Sequence, residues 1–236
     1  MNINEQIKIF GDGAILEDIE WLIREYKVKG FTTNPTLMKS AGIKDYMEFA
    51  KEMLLRVDGL PLSLEVFDDE FDEMERQAHK LADLGSNVYV KIPITNTKAE
   101  PAYDLINRLN KAGVQLNITA IFTKEQIKDL VPHLQNSVPS IVSVFAGRIA
   151  DAGLDPIPYM EYAFEQFKDN RNAEILWASP RQIYNVIEAV NAQSHIITVQ
   201  NSLLPKIKNF GKDLSEFSLD TVKMFYNDAL ESGYKL

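Results

Sequence analysis

Lys91 lies in VYVKIPI, a strongly apolar run read as a strand, where a charged ammonium is costly to hold without a purpose. Desolvation of such an amine favours its neutral form, the nucleophile that adds to a carbonyl and closes a Schiff base. A structural ion pair with Glu65 or Asp12 is the alternative, because buried pairs also occur inside barrels, and spacing alone leaves both open. Glu65 is likewise embedded in an apolar run, LSLEVF, where it serves either to shuttle protons through a water or only to neutralise Lys91. Asp12 in GDG fits an acid/base or a turn residue, and Asn34 in TTNP fits a polar contact or the turn that starts a helix. Asn117 and Thr119 share one face if 116–121 is a strand, and two inward polar residues point to a hydrated cavity. Arg148 and Arg181 suit bidentate recognition of a phosphate, with the Ser179 hydroxyl beside them, or else are surface arginines in ion pairs. Ser143 and Thr33 complete the polar set, whereas Trp177 and Phe145 read as packing residues. His195 opens an apolar run and is expected to make a structural hydrogen bond, and His79 and His133 read as helix-surface residues.

These residues recur at the ends of β-branched and aromatic runs. The proposed strands are 7–12, 28–33, 62–67, 88–94, 116–122, 140–146, 174–179 and 195–200. Between them lie segments such as DEMERQAHKLADLG, PAYDLINRLNKAG and TKEQIKDLVPHLQ, whose apolar residues recur at helical spacing. Gly85 and Gly113 are candidate stops, and Thr123 and Ser179 candidate N-caps. Eight strand–helix units favour a closed (β/α)8 TIM barrel, which places reacting groups at the carboxyl ends of its strands. An open doubly wound sheet would usually carry GxGxxG after the first strand, and FGDGAI does not match. The expectation is one barrel domain over 1–236, with an additional amphipathic C-terminal helix over roughly 218–232 that sets Val222, Phe225 and Tyr226 on one side.

Composition narrows the functional classes. The chain has 236 residues, 45% apolar and 25% charged, the balance of an ordinary globular protein. No cysteine is present, and the three histidines make no HxH or HExxH spacing, so thiolate chemistry is excluded and a histidine-rich metal site is not expected. A net charge of −9 argues against a nucleic-acid partner. No apolar run approaches the ~20 residues that span a bilayer, and the start has no secretory pattern, so a cytoplasmic protein without membrane contact is expected.

The blocks GFTTNPTL, VYVKIPIT, NITAIFT, VFAGRIAD and WASPRQ resemble those of transaldolases, in order and at compatible spacing along nearly the whole chain. The resemblance is nearest to the short, TalC-like branch and its fructose-6-phosphate aldolase relatives. It implies a (β/α)8 barrel, a lysine Schiff base without metal or organic cofactor, and transfer of a dihydroxyacetone unit between phosphorylated sugars. It places the Schiff-base lysine on Lys91, the acid/base aspartate on Asp12, the water-activating glutamate on Glu65 and the water-holding threonine on Thr119. Asn34, Asn117 and Ser143 match positions holding the hydroxyls of the three-carbon unit, with Thr33 beside them, and Ser179, Arg181 and Arg148 match the phosphate clamp. Aldolase relatives that release free dihydroxyacetone typically have glutamine at the position of Glu65 and tyrosine at that of Phe145, so this chain carries the transaldolase-like pair. Two departures bear on the choice of sugar: Pro180 stands where phenylalanine is common, and Ala150 where an acidic residue is common. The resemblance further implies a homo-oligomer. A lyase with the same Schiff base, action on a modified sugar, and a non-catalytic sugar-phosphate-binding barrel are the alternatives.

Overall fold

The computed structural model describes residues 3–235. Eight parallel strands close into a barrel in sequence order: β1 (Lys8–Asp12), β2 (Phe31–Thr32), β3 (Leu62–Glu65), β4 (Val88–Pro93), β5 (Leu116–Ile121), β6 (Ser140–Val144), β7 (Ala173–Trp177) and β8 (Ile196–Gln200). The strands alternate with helices α1 (Ile19–Tyr26), α2 (Pro35–Ser40), α3 (Tyr46–Arg56), α4 (Phe71–Ala82), α5 (Tyr103–Lys111), α6 (Lys124–Leu130), α7 (Ala146–Asp151), α8 (Ile157–Phe167) and α9 (Asn185–Asn191). The chain is thus a TIM barrel, as expected, followed by a C-terminal helix, α10 (Leu214–Ser232).

Alternation along the strands separates the helix-facing core from the barrel interior. In β4, Val88, Val90 and Ile92 are buried on one side, while Tyr89, Lys91 and Pro93 face the other. The helices answer with apolar stripes at three- and four-residue spacing, Met74, Ala78 and Leu81 in α4 and Leu105, Ile106 and Leu109 in α5. Inside the barrel, Phe10, Ile141, Leu176 and Ile196 pack with Tyr89 and Phe145 into an apolar plug. Phe10 enters it because Gly30 has no side chain; a Cβ there would come within 2.5 Å of the Phe10 ring.

Local signals set most boundaries. Asn34 caps α2 by accepting from the Leu37 N–H, with Pro35 in the first helical turn, and Thr123 caps α6 in a reciprocal capping box with Gln126. His195 accepts the Ile175 N–H at its Nδ1 (2.9 Å) and so ties the start of β8 to β7, the structural role expected of it. Gly113 takes the left-handed conformation just past α5, as a helix stop should, whereas Gly85 lies beyond the end of α4 without it.

Several expectations are corrected. β2 keeps only two residues in the sheet, because Asn34 and Pro35 start a helix directly behind it. The helical run 123–135 stops at Leu130 and tightens into a 3-10 turn that contains Pro132, which has no N–H to give. His133, in that turn, is half-buried and stacked on Tyr103 rather than lying on a helix surface. Ser179 caps nothing: it turns the chain at φ +58°, and α9 begins six residues later without a side-chain cap. The last helix starts at Leu214, because Asp213 accepts from the Ser215 and Glu216 N–H groups.

The barrel is complete within residues 3–204, and residues 205–235 form a second compact unit. In that unit α10 ends at Gly233 in the left-handed conformation and buries none of its residues. Leu214, Leu219, Val222, Phe225, Tyr226 and Leu230 are all exposed.

Candidate active site

A cavity of about 390 Å³ opens at the carboxyl ends of the strands, lined by residues from all eight. Its polar floor lies one pleat above the apolar plug: Asp12 follows Phe10 by two residues, Lys91 follows Tyr89, Ser143 follows Ile141 and Thr198 follows Ile196. Asp12, Asn34, Glu65, Lys91, Asn117, Thr119, Ser143, Phe145, Arg148, Ser179 and Arg181 all line it. Thr33, also expected at the substrate site, is not part of this lining. It is fully buried, its hydroxyl donates to the Ser63 carbonyl (3.2 Å), and its own carbonyl accepts from Lys91 Nζ (2.8 Å).

Lys91 has 7% of its surface exposed. Register explains its partner, since Lys91 of β4 pairs with Glu65 of β3 and both side chains reach the cavity. Nζ donates to Glu65 Oε2 at 3.2 Å. A buried ion pair alone contributes little to stability, because desolvation opposes the attraction. This one leaves part of both groups facing a cavity large enough for a substrate. Glu65 is fixed from behind by a residue that sequence reasoning missed. The Tyr46 hydroxyl of α3 accepts the Glu65 N–H (2.7 Å) and donates to the Glu65 carbonyl (3.2 Å), while its ring packs edge-on to Phe67. Burial pushes the Tyr46 hydroxyl pKa well above its ordinary value, so it stays a neutral donor.

Asp12, at the end of β1, accepts the Thr32 hydroxyl at 2.8 Å, and that hydroxyl also contacts Thr198 on β8. Although Asp12 reaches the cavity, burial is the strongest influence on it and raises its pKa. The Thr32 hydrogen bond and the Lys91 charge oppose that rise, and the Glu65 charge adds to it. Across the floor, Asn117 donates to Ser63 Oγ (2.9 Å) and accepts from Ser143 Oγ (2.6 Å), so three strands share one polar chain. Just past Thr119, Ala120 takes φ +58° and the register between β5 and β6 shifts, a bulge of the kind that re-aims side chains beside sites.

Two exposed arginines mark the other side of the cavity. Arg181 donates through Nε (3.0 Å) and Nη2 to the Asp151 carboxylate, and these hydrogen bonds hold Asp151 below the usual carboxylate range. Asn185 folds the Arg181 loop by accepting the N–H groups of Arg181 (2.8 Å) and Gln182 (2.9 Å). Gly147 brings the two loops together: its N–H donates to the Ala178 carbonyl, and a Cβ on it would lie 1.5 Å from the Ser179 carbonyl oxygen. Tyr46, Thr198 and Gly147 gave no sequence signal as site residues, because each acts through a partner distant in sequence. Among the described residues, no group of three or more His, Asp or Glu is placed to hold a metal ion.

The ensemble can supply an amine nucleophile, two carboxylates for proton transfer, hydroxyl- and amide-bearing side chains for a polyol, and guanidinium groups for an anion. Residues 9–235 match the transaldolase/fructose-6-phosphate aldolase family. A probable transaldolase 2 of Listeria monocytogenes is 35% identical over 224 residues, covering 90% of this chain and 98% of that protein. A probable transaldolase of a Thermoanaerobacter strain is 34% identical over 199 residues, covering 84% of this chain and 88% of that one. A probable transaldolase of Methanococcus maripaludis is 33% identical over 204 residues, with 86% and 90% covered. Among solved structures, a monomeric dihydrodipicolinate synthase variant superposes with a TM-score of 0.58 over 93% of this chain and 77% of that one. At 14% identity the likeness is one of fold.

Proposed function

The chain belongs to the transaldolase/fructose-6-phosphate aldolase family, and from that premise we propose that it is a class I transaldolase working through a Schiff base on Lys91. That it is an enzyme of this family follows from the relatives; the mechanism and the sugars are our reading. The observation that carries it is Lys91 Nζ, buried at the cavity floor and 3.2 Å from Glu65.

Lys91 passes a proton to Glu65 and its neutral amine adds to the C2 carbonyl of a ketose phosphate, fructose 6-phosphate or sedoheptulose 7-phosphate. Loss of water, with protons moved by Glu65 through a water held on Thr119, gives the protonated imine. Asp12 takes the C4 hydroxyl proton as the C3–C4 bond breaks. The bonding pair flows into the imine to form an enamine, and an aldose phosphate departs. The enamine then adds to an acceptor aldehyde, glyceraldehyde 3-phosphate or erythrose 4-phosphate. Asp12 returns its proton to the new alkoxide, and water releases the product from Lys91. The protonated imine is itself the electron sink, so the scheme calls for no cofactor. Asn34, Asn117 and Ser143 hold the three-carbon unit, and Arg148, Arg181 and Ser179 hold the phosphate.

Phe145 lines the cavity and packs against Phe122, with ring centroids 5.6 Å apart. A phenyl ring offers no hydroxyl to protonate the enamine, which favours waiting for an acceptor over release of free dihydroxyacetone. Exchange of this kind belongs to the pentose phosphate pathway, in the cytoplasm. The exposed apolar side chains of α10 support assembly with further copies of the chain.

Borohydride reduction in the presence of fructose 6-phosphate, followed by mass spectrometry, is the direct test. A reduced three-carbon adduct is expected on the peptide containing Lys91. Its absence from a folded preparation that turns over the sugar overturns the Schiff-base reading. Product measured with and without glyceraldehyde 3-phosphate separates the readings: transfer needs the acceptor, whereas a lyase yields dihydroxyacetone without it.

A further inference from the structure

The wall of the cavity beside Asp12 contains a hydroxyl chain whose direction is fixed by counting protons. A threonine hydroxyl has one proton and two acceptor sites. Thr32 gives its proton to Asp12 Oδ1 at 2.8 Å. Its contact with the Thr198 hydroxyl must therefore be filled by the proton of Thr198. The order is Thr198 to Thr32 to Asp12, from β8 through β2 to β1. Both threonines are buried, at 6% and 3% exposure, and both also line the cavity. The order is the one a charged carboxylate requires.

We propose that Thr198 is a positioning residue for Asp12, acting through Thr32 in a hydroxyl chain that reverses when Oδ1 of the carboxyl gains or loses a proton. This rests on the reading of Asp12 as the group that takes and returns the C4 hydroxyl proton. When Asp12 becomes a carboxylic acid with its proton on Oδ1, it turns donor toward Thr32. Thr32 then accepts from it and swings its own proton to Thr198, and Thr198 swings its proton toward the cavity. Only hydroxyl rotors move, and no O–H bond of either threonine breaks. Each state of Asp12 thus finds a matched partner in a place where an unmatched polar group is costly.

The other groups facing Asp12 do not have this property. Lys91 from β4 favours the carboxylate and Glu65 from β3 opposes it, whichever way the hydroxyls point. A donor behind Thr32 polarises the Thr32–Asp12 bond and so strengthens it in the charged state. Removing that hydroxyl, with Thr32 left in place, costs both states a partner, but the charge-assisted bond to the carboxylate loses more than the neutral one, so Asp12 becomes harder to ionise.

The test is a titration of the Asp12 carboxyl by carbon-13 NMR in the substrate-free full chain, comparing wild type with Thr198→Val, Thr198→Ala and Thr198→Ser. Val and Ala remove the hydroxyl, with and without the branched shape, so one serves if the other fails to fold. Both are expected to titrate higher than wild type by about 0.5–1 pH unit, while Ser, which keeps the hydroxyl, titrates with wild type. The acid limb of kcat/KM should move by the same amount, with kcat falling more than KM rises. An unmoved Asp12 titration in a folded Val or Ala variant, or a Ser variant that moves with them, overturns the proposal. The titration needs no turnover, so it can fail while borohydride trapping at Lys91 succeeds, and the reverse.

Discussion

Lys91 and Glu65 form a pair that resembles a structural ion pair until the cavity around it is considered. Its neighbour Asp12 shows the cost of such an arrangement, because burial raises its pKa above the ordinary 3.8. A raised native pKa means that the folded chain holds this proton more firmly than the unfolded one. Between the ordinary and the raised value unfolding therefore releases a proton, and stability falls as pH rises through that window. Asp12→Asn removes the titrating group. Thermal unfolding at pH 7–8 is expected to show the variant more stable than wild type, with the gap closing below the ordinary carboxylate range. The same substitution is expected to lower kcat by about 10²–10⁴-fold, because the C4 proton loses its acceptor. Equal melting temperatures at every pH would show that Asp12 is not strained by burial.

Between elements, the decisive contact joins the start of α7 to the turn after β7. Gly147 lets the Ser179 carbonyl lie against its Cα, and this approach brings Arg148 and Arg181 to one side of the cavity. Gly147→Ala places a methyl 1.5 Å from backbone rather than against a flexible side-chain end, so one of the two loops must move. Thermal unfolding is expected to show a loss of about 1–3 kcal/mol or more. KM for a phosphorylated ketose should rise while KM for the corresponding free sugar changes little, because the loops carry the anion-binding residues and not Lys91. A variant with both KM values unchanged would separate the arginines from phosphate recognition. The bulge at Ala120 and the capping of α2 by Asn34 are the other places where an element boundary, rather than a propensity, aims the site.

For the whole molecule, the barrel and α10 have different requirements. The barrel closes within residues 3–204 with its own core. By contrast, α10 carries large apolar side chains around much of its circumference with none of them buried. Sedimentation is expected to find the wild-type chain well above its 26.8 kDa monomer mass. Deleting 214–236 should lower that state while far-UV circular dichroism still reports the barrel. A wild-type chain that sediments as a monomer at micromolar concentration removes the case for assembly through this helix.

The strand–helix alternation, the closed barrel and the inward placing of Lys91, Glu65 and Asp12 at strand ends were legible in the sequence. An apolar run interrupted by one charged residue is a local pattern, and pleating alone settles which face that residue shares. Thr123 and Asn34 announced their caps because capping spans three residues. The structure decided what depends on barrel register and loop approach. Thr198 meets Thr32 across 166 positions, and Arg181 meets Asp151 across 30. It also moved Thr33 out of the cavity and made its carbonyl a Lys91 ligand, and it turned Ser179 from a cap into a strained corner. Such pairings carry no period and no motif. Thr198 reaches Thr32 only because eight parallel strands, once closed in a ring, bring β8 back beside β1.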